Sequence, residues 1–104
     1  MIVEMRKYIL HPGSVPKYYA LYDGKPREMQ MRILGNLIGF YSSEIGEMNQ
    51  LVHLWGYDSF EERMRRRELL SKEPEWREFA AQVLPLVVRQ DVTLLNPAPF
   101  MGKS

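Results

Sequence analysis

The sequence contains no cysteine, so disulfides and thiolate metal sites are both excluded. No apolar run approaches the roughly 20 residues that cross a bilayer, and the mean hydropathy of -0.35 describes a soluble domain with no membrane partner. Net charge is almost missing as well: 14 Lys and Arg against 13 Asp and Glu leave +1, and without a global field no nucleic-acid partner is expected. The two histidines, His11 and His53, lie far apart and form no recognisable ligand spacing, so no metal site is expected. There is no glycine-rich phosphate loop, no nucleophile elbow, and no basic–apolar–small segment of the secretory type at the start. These absences give the expectation of a cytoplasmic protein in which no motif names a reaction.

A chain of 104 residues has room for one domain, taken as 1–104, with one sheet and a few helices. Residues 2 to 10 alternate loosely with β-branched and aromatic types and read as a strand, broken by His11-Pro12-Gly13. Ser14 is placed to cap a helix with Pro16 in its first turn, Asp23-Gly24 interrupts it, and a second piece runs from Pro26 to Leu34 before Gly35. Leu37 to Glu44 and Met48 to Asp58 read as a hairpin about Gly46. Ser59 with Glu62 fits a capping box, so helix starts near Phe60, breaks at Pro74, and resumes with the Trp76, Phe79, Ala80, Val83 stripe. Val87 to Leu95 supplies the last strand. The fold class is therefore α+β, ferredoxin-like βαββαβ, with a four-stranded antiparallel sheet and both helical segments on one face.

Parity along the strands separates two faces. One carries Val3, Met5, Lys7 and Ile9 with Gln50, Val52, Leu54 and Gly56. The other carries Glu4, Arg6 and Tyr8 with Asn49, Leu51, His53, Trp55 and Tyr57. The aliphatic set suits the helix-covered side, with Gly56 admitting a helix closely. The aromatic and ionisable set would then stand open and needs a cover, which a second copy of the sheet supplies in a two-fold homodimer. In the run Arg63, Arg65, Arg66, Arg67, the i,i+4 pairs Glu61–Arg65 and Glu62–Arg66 favour a solvated helix face over an anion-binding surface.

The residues Ile2-Val3-Glu4-Met5-Arg6, His11-Pro12-Gly13, Leu34-Gly35-Asn36-Leu37, Gly39-Phe40, Glu44-Ile45-Gly46, Asn49 to Trp55, Tyr57-Asp58-Ser59, the Arg-rich helix and Asn96 to Phe100 resemble the NIPSNAP family over nearly the whole chain. The resemblance implies a ferredoxin-like subunit that pairs into a dimeric α+β barrel. It brings no reaction. Superfamily relatives include cofactor-free monooxygenases and haem-binding enzymes, a likeness of fold alone.

The candidate site is His53 as proton carrier, Arg6 as anion contact and Glu4 as orienter. Tyr8, Asn49, Trp55 and Tyr57 line a small-molecule pocket between the two sheets. The alternative is a non-catalytic dimeric interaction module, in which Glu4 and Arg6 pair across a filled interface and the Arg63 to Arg67 face meets another protein. No cofactor is expected. Haem with His53 as axial ligand is the lesser alternative, because one histidine is no haem signature.

Overall fold

The structure is a computed structural model and describes residues 1–101. Strand β1 (Ile2–Leu10) is followed by helices α1 (Val15–Tyr22) and α2 (Lys25–Leu34). Strands β2 (Asn36–Ser42) and β3 (Gln50–Tyr57), helices α3 (Phe60–Ser71) and α4 (Pro74–Val83), and strand β4 (Val87–Leu95) complete the order. This is βαββαβ with each crossover helix split in two. Gly24, at φ 124°, holds a backbone conformation that side-chain-bearing residues rarely take, and it divides the first. Pro74, which cannot donate to a preceding turn, opens α4 and divides the second.

The sheet order is β2-β3-β1-β4 and every neighbouring pair is antiparallel. The β2–β3 connection is longer than the tight turn expected at Gly46. The strands stop at Ser42 and start at Gln50, and the bend is shared between Gly46 at φ 115° and Asn49 at φ 59°. The Ser14 hydroxyl makes no capping bond, and α1 closes instead through Tyr18 N–H donating to the Ser14 carbonyl (2.9 Å). At α3 half of the expected box forms: Ser59 Oγ accepts from Glu62 N–H at 3.1 Å, while the Glu62 carboxylate turns to Arg65 and Arg66.

The parity sets hold together, but their sides are reversed. Glu4, Tyr8, Leu51, His53, Trp55 and Tyr57 are buried beneath the helices, whereas Val3, Met5, Lys7, Ile9, Val52 and Leu54 lie on the uncovered face, partly exposed. The reason is size and charge compensation. Large rings bridge the gap between sheet and helices, where Tyr8 and Leu51 join Tyr18, Tyr22, Phe79 and Val83 in one cluster and Trp55 and Tyr57 join Leu34 and Leu70 in another. The mostly aliphatic set is left on the other face, half-buried and without a helix over it. Gly56 is correspondingly approached by β2: a Cβ there would lie 2.5 Å from Asn36 Nδ2.

Candidate functional site

Antiparallel register lays the helix-side residues out in rows. Arg6 is opposite His53 on one side and Val92 on the other, and His53 is opposite Phe40, so one row reads Val92, Arg6, His53, Phe40 across the four strands. The next row reads Leu94, Glu4, Trp55, Leu37. Strand pairing thus brings together Glu4, Arg6, Tyr8, His53, Trp55 and Tyr57. Asn49 is left out. It precedes β3, its carbonyl accepts from Leu10 N–H (2.8 Å), and its Oδ1 accepts from Gly13 N–H (3.2 Å), so it ties the hairpin loop to the end of β1.

At the centre stands the Glu4 carboxylate, fully buried. Its Oε2 accepts from Arg63 Nε (3.0 Å), Arg63 Nη2 (2.6 Å) and Arg6 Nη1 (3.1 Å), and Arg67 Nη1 lies 3.7 Å from its Oε1. Tyr57 Oη donates to the same Oε1 at 3.4 Å. Burial alone would raise this carboxyl, but the Arg63 hydrogen bond and the charges of Arg67 and Arg6 outweigh it and hold the pKa below the ordinary value. The Tyr57 phenol is pushed up by burial and by Glu4, and so stays a neutral donor. Arg6 also donates from Nε to Tyr8 Oη at 3.0 Å.

Arg63 and Arg67 were expected in solvent. Instead they form, with Leu70, the i, i+4, i+7 stripe of α3 that faces the sheet, with their side chains 19% and 26% exposed. That spacing was the available signal. A helix whose inward stripe is mostly arginine must meet an acid beneath it, and Glu4 is the acidic residue of β1. Arg65 and Arg66 do stay peripheral, paired with Glu62, and Arg66 Nη1 also donates to the Ile33 carbonyl at the end of α2 (3.1 Å).

His53 is packed by rings. Phe40 stacks on it at 4.6 Å, Tyr8 meets it edge-on at 5.1 Å, and Trp55 Nε1–H donates to its Nδ1 at 2.7 Å. Desolvation lowers its pKa to about 3, reinforced by the positive charges of Arg6 and Arg67. With Nδ1 accepting, a neutral ring presents Nε2–H. A proton carrier works best with a pKa near the working pH, so this environment suits a fixed donor. His53 Nε2 and Arg67 Nη1 are both buried and have no hydrogen-bond partner among the described residues. A cavity of about 560 Å³ lies elsewhere along Phe40, between it and Tyr19, Ala20, Tyr22, Asp23 and Arg27.

Sheet order, split crossover helices and one-sided helix packing define a ferredoxin-like α+β domain. At the level of fold alone it is similar to an antibiotic biosynthesis monooxygenase (TM-score 0.64, 11% identical, 95% of this chain and 100% of that one). A much nearer likeness is to an uncharacterised NIPSNAP-like domain protein from Burkholderia xenovorans (TM-score 0.92, 39% identical, covering 98% and 89%). A NIPSNAP family protein of unknown function from Agrobacterium tumefaciens is equally similar in fold (TM-score 0.92, 34% identical, covering 96% and 90%). The NIPSNAP family model matches residues 3–101. The chain belongs to the NIPSNAP family. Among sequence relatives, a NipSnap homologue of Dictyostelium discoideum is 35% identical over 79 residues, and human NipSnap homologue 3A is 32% identical over 99. The chain spans 34% and 39% of the length of those two relatives. Among the described residues no helix is long and apolar enough to cross a membrane.

Proposed function

We propose that the protein acts as a homodimer whose subunits each bind a small anionic molecule at the Glu4–Arg6–His53 cluster. The supporting observation is an excess of donors over acceptors. Arg6, Arg63 and Arg67 surround the single carboxylate of Glu4, and among the described residues the buried Arg67 Nη1 and His53 Nε2 have no hydrogen-bond partner. Buried donors are almost always satisfied by protein, water or ligand. An oxyanion is the partner that guanidiniums match in both charge and fork geometry. The site therefore belongs between sheet and helices of one chain rather than between two sheets. In it Arg6 is an anion contact, Glu4 an internal counter-ion that orients the arginines, and His53 a neutral donor behind them.

The uncovered sheet face supports the dimer. Four strands about 4.8 Å apart and seven to nine residues long at about 3.3 Å each offer roughly 500 Å² in projection, and more with side-chain relief. That is the order of the ~800 Å² per partner of a standard interface. Val3, Met5, Val52 and Leu54 dominate its centre, and Ile38 and Tyr41 on β2 are 45% and 54% exposed. Face-to-face pairing of two such sheets buries both copies at once.

A thermal-shift panel of chloride, acetate, sulfate and phosphate at constant ionic strength tests the site. Multivalent oxyanions raise the melting temperature of the wild type and lose that effect in Arg6→Ala. Equal shifts in the two proteins would defeat the reading. Light scattering tests the assembly: the wild type runs as a dimer and Leu54→Glu as a monomer, and a wild-type monomer at micromolar concentration would remove the pairing.

A further inference from the structure

The ligand's class can be narrowed if the anion-site reading holds. Three guanidiniums and one carboxylate sum to two unmatched positive charges. On α3, the acid next to Arg63 in sequence, Glu62, is already engaged by Arg65 and Arg66. The buried Tyr57 adds no negative charge, since it is a neutral phenol donating to Glu4. The three forks also converge on a point rather than a line, because Arg6 and Arg63 reach the same Oε2 and Arg67 the adjacent Oε1. Convergence fits one compact head with several oxygens better than two separated carboxylates.

The surroundings of that point are asymmetric. On the β3–β2 side, the stacked His53 and Phe40 rings close it. Toward β4 the neighbouring surface is apolar and exposed: Val92 beside Arg6 and Leu94 beside Glu4 are 46% and 40% exposed on the side of the sheet that the helices cover elsewhere. At the start of α3, Phe60 is 45% exposed with the Arg63 guanidinium 5.9 Å over its ring. The buried charge cluster therefore borders an exposed apolar shelf.

We infer that the site takes a dianionic phosphate-monoester head on the Arg6, Arg63 and Arg67 guanidiniums, with an apolar body lying along Val92 and Leu94. The head displaces Glu4 from part of its hydrogen bonding and supplies the acceptor that Arg67 Nη1 lacks. Glu4 is then a built-in competitor, an anion the ligand must partly replace.

Isothermal titration of the full chain with hexyl phosphate, hexyl sulfonate and inorganic phosphate at pH 7.5 tests this. Hexyl phosphate binds saturably. The sulfonate, with one charge, and inorganic phosphate, with no body, each bind at least about tenfold more weakly, the effect of losing one charge-assisted hydrogen bond or a comparable apolar contact. Arg67→Ala weakens hexyl phosphate by about tenfold on the same basis. Glu4→Gln strengthens it although it destabilises the fold, which a merely structural carboxylate would not do. Should hexyl sulfonate match hexyl phosphate while Arg67→Ala still weakens both, the anion site stands and the dianion inference falls. Equal binding of inorganic phosphate removes the shelf and overturns the proposal in that part. No binding of any probe, or binding unchanged by both substitutions, defeats the inference and the anion site together.

Discussion

Replacing His53 by glutamine should remove most of the loss of stability that the wild type shows between pH 7 and pH 5. The imidazole is 1% exposed, and burial with Arg6 and Arg67 depresses its pKa to about 3. In the unfolded chain the value is about 6.5. Because the folded-state value is the lower one, the unfolded chain takes up the proton first as pH falls. The stability this group contributes is present at pH 7 and is lost progressively from about 6.5 down to about 3. Integrated between pH 7 and pH 5, a gap of that size amounts to about 2 kcal/mol, or roughly 10 °C in Tm for a domain of this length. Glu4 does not confuse the window. Its folded pKa is depressed too, so its contribution is lost only below its unfolded value of about 4.3. Glutamine is neutral throughout and keeps an acceptor for Trp55 Nε1. The assay is urea unfolding followed by the fluorescence of Trp55 and Trp76, at one protein concentration so that any association contributes equally throughout. A wild-type midpoint that does not move between pH 7 and pH 5 would refute the reasoning, and so would a His53→Gln midpoint that falls in parallel.

Other substitutions probe separate parts of the structure. Glu4→Ala leaves three part-buried arginines without their carboxylate and should cost about 3–5 kcal/mol in chemical unfolding at pH 7; a cost under about 1 kcal/mol, typical of exposed pairs, would show the cluster to be solvated. Gly35→Ala meets both a φ of 95° and the Arg66 guanidinium 2.7 Å from the new Cβ, so unfolding should occur at least about 1 kcal/mol more easily. Ser59→Ala removes the bond to Glu62 N–H at the start of α3 and should cost about 1 kcal/mol, read as a lower urea midpoint.

Element order was readable because it is written in local chemistry. Pro12-Gly13, Asp23-Gly24, Gly35, Ser59 and Pro74 act within a turn of their own positions, and each marks a boundary in the structure. Grouping by parity was equally local, and it assembled Glu4, Arg6, Tyr8, His53, Trp55 and Tyr57 from two strands. The side each group faces is not a local property. Both sets are apolar enough to be covered, and the choice is made by α3, where Arg63 and Arg67 need Glu4 beneath them. Apolar content alone favoured the aliphatic set; the charge on the helix's inward stripe decided otherwise. Asn49 shows the limit of parity in another way. Alternation counts only inside a strand, and β3 begins one residue later.

The most direct measurement is a crystal structure of the protein grown with hexyl phosphate. The phosphate should lie within hydrogen-bond distance of Arg6, Arg63 and Arg67, with its chain along Val92 and Leu94 and the two sheets of a dimer packed through Val52 and Leu54. Density in the space between the sheets, or in the cavity beside Tyr19 and Phe40, with the Glu4 cluster unchanged, would contradict the placement of function on the helix-covered face.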